Sequence, residues 1–148
     1  MIEIIYSDKK PIIRKKNNKE QVFCIIRKRW FLLTPEEWVR QNFLIYLTGV
    51  KNYPASLIAV EKQIVFNGLK KRFDIVVYDS LMNPLIIVEC KEMNIQLTNQ
   101  VLQQALSYYS VIQSAFLILT NGNQTIGFIR KENQFITMEE IPFYKKTD

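Results

Sequence analysis

The chain has no histidine among its 148 residues. That absence excludes histidine-based catalytic triads, histidine-ligated zinc and histidine general bases together. Any catalysis must then use carboxylate, lysine, tyrosine, hydroxyl or thiol groups. Cysteine is scarce too. Cys24 and Cys90 lack the spacing of a metal-binding pair, and a lone disulfide is not expected in a reducing compartment. Cys90 reads as a small core residue. No apolar run approaches the roughly 18 residues that a membrane-spanning helix requires, and the opening MIEIIYSDKK lacks the apolar centre of a secretory signal. A cytoplasmic protein without a membrane partner is the expectation. Internal repeats, low-complexity segments and interdomain linkers are also missing.

A chain of 148 residues makes one domain with a core of its own, and 48% of it is apolar. The net charge of +6 and the pI near 9.3 suit a polyanionic partner and suit plain solubility equally.

The segment from Lys70 to Lys91, KKRFDIVVYDSLMNPLIIVECK, carries the sharpest signal. Ile75–Tyr78 and Leu85–Val88 are short, Val- and Ile-rich, and separated by Ser80–Pro84. They read as consecutive buried strands. Asp74 opens the first, and Glu89 and Lys91 close the second. Ionisable groups are rarely buried unless paired or metal-bound, so three at strand ends require a reason. Alternation sends Glu89 and Lys91 to one face and Cys90 to the other. If the strands pair as a hairpin, two carboxylates and one ammonium share a small site. The alternative is a surface ion-pair cluster worth little to stability.

Before this segment, Ile12–Lys15 and Val22–Arg27 suggest a hairpin around Asn17–Glu20. The run Arg27-Lys28-Arg29-Trp30 interleaves cations with an aromatic. It suits contact with phosphate and a base or sugar, or else a solvated strand end with Trp30 packed inward. Thr34-Pro35-Glu36-Glu37 starts a helix, with Thr34 as N-cap, Pro35 at N1 and Glu37 completing a capping box. That helix is expected to run to about Thr48 and stop at Gly49. Glu36 shares the face of Val39 and Phe43, so it either looks into a site or complements the helix dipole. Glu37 is expected to turn away.

Ile58–Phe66 reads as a strand that turns at Asn67-Gly68. Thr98 begins a second helix, expected to reach about Gln113, with Val101, Leu102, Ala105, Leu106 and Tyr109 packing on the sheet. Gln104 and Tyr108 share a side of it. Ala115–Thr120 is a further buried strand, and Gln124–Arg130 with Gln134–Met138 make a closing hairpin. The fold class is therefore α/β, a mixed sheet with helices against it. It divides into an N-terminal hairpin (1–33), a core (34–122), and a C-terminal hairpin with a tail (123–148).

With Asp74, a gap, then Glu89-Cys90-Lys91 at a strand end, the chain resembles the PD-(D/E)XK nuclease superfamily. That superfamily's restriction-endonuclease-like core is a helix, three strands, a helix and a strand, matching the order above. Arg27–Gln41 (RKRWFLLTPEEWVRQ), Phe73–Tyr78, Pro84–Lys91 and Leu119–Gly122 further resemble the N-terminal nuclease domain of type I restriction enzyme R subunits, in particular its short stand-alone relatives. The resemblance runs from about residue 12 to 130. The chain departs from those subunits in having no G-x-x-x-x-G-K-[ST] loop, hence no ATP-driven motor, and in carrying Phe73 where proline often precedes the aspartate.

The resemblance implies a restriction-type endonuclease module that hydrolyses DNA with Mg2+ or Mn2+. Asp74 and Glu89 would bind the metal, with the backbone carbonyl of Cys90 as a further oxygen, and Lys91 would be the lysine of the motif. Glu36 falls where many such nucleases place another acid. Gln104 and Tyr108 fit the Q-x-x-x-Y motif of the R subunits. Magnesium prefers oxygen ligands and keeps several waters, which suits that donor set. DNA, a homodimer mate and other members of a restriction complex are the implied partners. The alternative is a catalytically silent nucleic-acid-binding or accessory protein on the same fold.

Overall fold

A computed structural model describes residues 1–110 and 112–146, apart from the side chain of Phe66. Among the described residues, no helix is long and apolar enough to cross a membrane. Two sheets form. The smaller is antiparallel, in the order β1 (Ile13–Lys16), β2 (Lys19–Cys24) and β3 (Arg29–Leu32). The larger has six strands in chain order: β4 (Ile58–Phe66), β5 (Leu69–Tyr78), β6 (Pro84–Cys90), β7 (Phe116–Thr120), β8 (Thr125–Lys131) and β9 (Gln134–Met138). Among the described strands only β6 and β7 pair in parallel; their neighbours in the sheet pair antiparallel.

Parallel neighbours need a crossover connection, and α2 (Asn99–Tyr109) provides it. The other helix, α1 (Pro35–Ile45), leads from the small sheet to the large one and covers the opposite face. Phe43, Leu44 and Leu47 pack with Ile75, Val77, Ile86, Val88 and Ile118 on the α1 side. Phe73, Val76, Ile87 and Leu117 pack with Tyr109 on the α2 side, with Leu102, Ala105 and Leu106 alongside. Both faces of β5, β6 and β7 are thus covered, which is why their sequences read as continuous apolar runs rather than alternating ones.

The local chemistry follows residue type. Thr34 caps α1, its Oγ1 accepting from the Glu37 amide at 3.0 Å. Asn67 and Gly68 both take positive φ (48° and 78°), as a two-residue primed hairpin turn demands. Several expected boundaries differ. The strand expected to open at Asp74 begins at Leu69, which puts Asp74 inside β5. Arg29–Leu32 is a third strand of the N-terminal sheet, because Lys28 takes a left-handed turn (φ 55°) that folds the cationic run back on β2. After Ile45, α1 widens into a π turn over Tyr46–Val50, with the Thr48 hydroxyl donating to the Leu44 carbonyl. The second helix ends at Tyr109, not near Gln113. The Arg130 guanidinium takes the carbonyls of Tyr109, Ser110 and Ile112 there and closes the helix from β8.

Candidate active site

Antiparallel register places the site. Ile75 pairs with Val88 and Val76 with Ile87; one step further, Asp74 stands opposite Glu89. Opposed residues of an antiparallel pair share a face, yet Asp74 does more than mirror Glu89. Phe73 and Val76 both face α2 although three residues apart, while Ile75 and Val77 face α1. The side-chain alternation therefore slips at Asp74. On β4, Glu61 carries a positive φ of 52° beside this slip, between the pairs Val60–Ile75 and Lys62–Phe73. Such an irregularity re-aims a side chain within a strand, and Asp74 here reaches Arg40 of α1.

The two oxygens of Asp74 are held separately. Oδ2 accepts from the Cys90 amide at 2.8 Å and Oδ1 from Arg40 Nη2 at 2.7 Å. Arg40 is buried, and its fork also meets Glu36 Oε1 at 3.0 Å, Glu37 Oε1 at 2.9 Å and, more loosely, Glu61 Oε1 at 3.8 Å. Arg27 joins Glu37 and Glu61, each at 2.9 Å, and Arg72 joins Glu61 at 3.0 Å. Burial opposes the charge on Arg40, but the hydrogen bond and charge of Asp74 outweigh it and lift its pKa. Asp74 thus lies beneath a cage of alternating charge between α1 and the strand ends.

Glu89 has different company. The Tyr109 hydroxyl donates to its Oε2, and Lys91 Nζ lies 3.8 Å from Oε1, an ion pair beyond hydrogen-bond reach. Burial first, then the negative charge of Asp74, pushes the Glu89 carboxyl up to about 7, and the Tyr109 hydrogen bond only partly opposes this. Burial and Glu89 also raise the Tyr109 hydroxyl, which therefore stays a donor. Glu36 is raised as well, by burial and by Asp74. Glu89 and Glu36 are thus both pushed toward the protonated form, by burial first and by the negative charge of Asp74 second.

Glu89, Lys91, Arg72, Gln104, Tyr108 and Tyr109 line an open pocket of about 410 Å³ beside α2. The structure thus brings Asp74, Glu89 and Lys91 to one sheet margin and sets Gln104 and Tyr108 on the wall of the same pocket. Glu36 lies across Arg40 from Asp74, half-exposed. Glu37 does not turn away: its carboxylate serves Arg27, Arg40 and Gln41, and only its amide takes part in the cap. Tyr108 meets Phe73 and Tyr109 edge-on, and Lys71 lies 3.9 Å over its ring. Lys71 is committed to α2 and Arg72 to Glu61. Trp30 does not pack inward; it pairs with Phe23 on the face of the small sheet that turns away from buried Val22 and Cys24.

Two residues at the centre are not evident from the sequence. Arg40 sits four residues after Glu36 and three after Glu37, an ion-pair spacing on a helix that signals those two partners, although nothing local signals its reach to Asp74. Tyr109 belongs to the apolar stripe of α2, and its ring does pack there; only the structure aims its hydroxyl at Glu89.

The donor set fits a hard divalent cation. Asp74 Oδ1 accepts from Arg40 and Oδ2 from the Cys90 amide, each keeping a second lone pair, and Glu89 Oε1 lies 3.8 Å from Lys91 Nζ. Among the described residues no three His, Cys, Asp or Glu side chains form a metal-binding cluster. A cation held by these two carboxylates would need backbone oxygen and water to complete its shell, as magnesium tolerates.

The fold is similar to a fragment of a putative HsdR subunit of a type I restriction enzyme from Vibrio vulnificus YJ016, with a TM-score of 0.53 and 19% identity. The match covers 75% of this chain and 24% of that one, so the chain spans about a quarter of its length. A weaker likeness joins it to the type IIG restriction endonuclease BpuSI, at a TM-score of 0.45 and 20% identity over 68% of this chain and 11% of that one. Residues 35–142 match the family described as type I restriction enzyme R protein N terminus (HSDR_N). The chain belongs to that family. No curated protein matches it.

Proposed function

We propose that the chain is a divalent-metal-dependent endonuclease domain of the PD-(D/E)XK kind, hydrolysing DNA phosphodiester bonds as a restriction-type cleavage module. The observation that carries this reading is the meeting of Asp74, inside β5, with Glu89 and Lys91 at the end of β6, in a setting whose burial raises the Glu89 carboxyl. Asp74 and Glu89 would hold Mg2+ or Mn2+, with the Cys90 carbonyl as a further oxygen. The bound cation supplies charge neutralisation at the phosphodiester and a more acidic water. Lys91, at the pocket mouth, places a positive charge where the scissile phosphate gains negative charge. Gln104 and Tyr108 line the path of the backbone, and Glu36 sets the outer edge through Arg40. A homodimer, or a partner within a restriction complex, would supply the second centre that duplex cleavage requires. Cytoplasm is the compartment where such DNA is met.

One observation supports a second reading. Arg40 already neutralises one oxygen of Asp74, as an internal cation would in a catalytically silent, DNA-binding relative. Incubating supercoiled plasmid with the protein and Mg2+ separates the two. Nicking is expected from the wild type and is expected to vanish in Asp74→Ala and Lys91→Ala while circular dichroism stays unchanged. If neither Mg2+ nor Mn2+ supports cutting of DNA or RNA by the wild type, the nuclease reading fails.

A further inference from the structure

The positive charge of this protein is not spread over its surface. Residues 9–32 contain nine of its twenty cations and only one of its fourteen acids, Glu20. The rest of the chain therefore holds eleven cations and thirteen acids, a net charge of −2. The entire cationic excess lies on and beside the small sheet, ahead of the span 35–142 that matches the family.

The register shows how the sheet displays it. Val22 and Cys24 are buried, so their face turns toward α1. Gln21 and Phe23 must point away, together with their opposed partners Arg14 and Trp30; the pair Lys16–Lys19 lies on that same outer face. The Arg14 guanidinium lies 4.1 Å over the Trp30 ring, and its Nε donates to Gln21 Oε1 at 2.7 Å. Trp30 in turn meets Phe23 edge-on at 5.3 Å. Lys16, Lys19 and Lys28 are exposed, and no described ion pair involves them. An aromatic floor of fixed orientation, flanked by uncommitted ammonium groups, has the chemistry that binds a phosphodiester strand: cations for phosphates, rings for a base or sugar.

The sheet is also tied to the candidate site. Arg27, between β2 and β3, bonds Glu37 and Glu61, which share Arg40 with Asp74. Phe31 and Leu32 of β3 line a cleft with Glu36, Arg40 and Glu61. A strand lying on the outer face could continue along this cleft toward Asp74.

We infer that the outer face of the N-terminal sheet, built on Arg14, Lys16, Lys19, Phe23 and Trp30, is a nucleic-acid-binding surface. It takes the sugar–phosphate backbone without regard to base sequence. The inference shares its substrate class with the nuclease reading, but it does not require catalysis.

The test is fluorescence anisotropy of labelled single- and double-stranded oligonucleotides in EDTA, from 50 to 300 mM salt, so that cleavage plays no part. The slope of log affinity against log salt is expected to fall by about 1.4–1.8 in the double variant Lys16→Ala/Lys19→Ala, at roughly 0.7–0.9 for each phosphate no longer neutralised. Trp30→Leu is expected to weaken single-strand binding about five- to 150-fold. Lys145→Ala/Lys146→Ala, at the far end of the chain, is expected to leave the slope unchanged. The lysine variants change only exposed residues, which keeps the test valid if Trp30→Leu fails to fold. A wild-type slope in Lys16→Ala/Lys19→Ala would overturn the inference. So would an equal loss in the Lys145/Lys146 control, or binding of phosphatidylserine vesicles without binding of DNA. Plasmid nicking with unaltered lysine-variant slopes would sink this surface and spare the nuclease; binding without nicking would do the reverse.

Discussion

Replacing Arg40 with methionine removes a guanidinium that contacts four carboxylates: Glu36, Glu37, Glu61 and Asp74. The four losses are unequal. Glu36 is about half exposed, and its i,i+4 pair is worth only about 0.3–0.5 kcal/mol. Glu37 keeps Arg27 at 2.9 Å, and Glu61 keeps Arg27 and Arg72. Asp74 is the expensive one: at 11% exposure it is left with the Cys90 amide alone, and stripping one partner from a buried pair costs about 3–5 kcal/mol. Since that amide remains, about 3–4 kcal/mol in all is expected, equivalent to a fall of roughly 6–16 °C in melting temperature for a chain of this size. Urea denaturation followed by circular dichroism measures it. Arg40→Lys, which keeps the charge but not the planar fork, should fall between wild type and methionine. Under the nuclease reading, Mg2+ should restore part of the loss, because it supplies the missing charge to Asp74. A cost below about 1 kcal/mol would refute the claim that Arg40 holds Asp74 in place.

The pH dependence of stability follows from Glu89. Its folded pKa is raised from 4.5 to about 7, so between those values the folded state holds a proton that the unfolded state releases. Stability from this group is therefore complete below pH 4.5 and declines as pH rises to 7, by at most about 3 kcal/mol. Glu89→Gln should abolish that decline and prove more stable than wild type at about pH 8; the same slope in both proteins would contradict the reading. Tyr109→Phe removes the hydrogen bond that favours charged Glu89, and its carboxyl resonance should titrate above the wild-type value in 13C NMR, with about 1.5–3 kcal/mol lost at about pH 8. Far from the site, Gly127→Ala would set a methyl 2.6 Å from Ile2 Cδ1 and 2.7 Å from Met138 Cγ. A loss of about 1–3 kcal/mol in denaturant, with plasmid nicking retained, is expected from that overpacking.

Strands β4 to β7 and both helix starts are legible in the sequence because their causes are local. Apolar runs, Asn67-Gly68, and the caps at Thr34 and Thr98 act over a few residues. The convergence of Asp74 with Glu89 is legible too, since the hairpin pairing of Ile75 with Val88 brings the next residues of the two strands together even though β5 continues past Asp74. What stays hidden depends on distant partners. Arg27 has the look of a solvated cation, yet it bonds Glu61, 34 residues on. The end of α2 is fixed by Arg130 from another element. The slip at Asp74 leaves no trace in residue type; it lies opposite Glu61, whose backbone takes a positive φ. The outward turn of Trp30 is hidden for a similar reason: which face of a strand is buried depends on the neighbour it pairs with.

The two free, buried thiols offer a way to watch this architecture come apart. Cys24 lies under the small sheet with its Sγ accepting from Arg27, while Cys90 sits in the large sheet with its amide on Asp74. Thiol reagents attack only thiolates they can reach, so each cysteine reacts at the rate its own surroundings open. Labelling each in turn, with the other replaced by alanine, reads two separate clocks. Matching rates would mean that the small sheet peels away only when the whole domain does; a faster Cys24 would time its detachment alone.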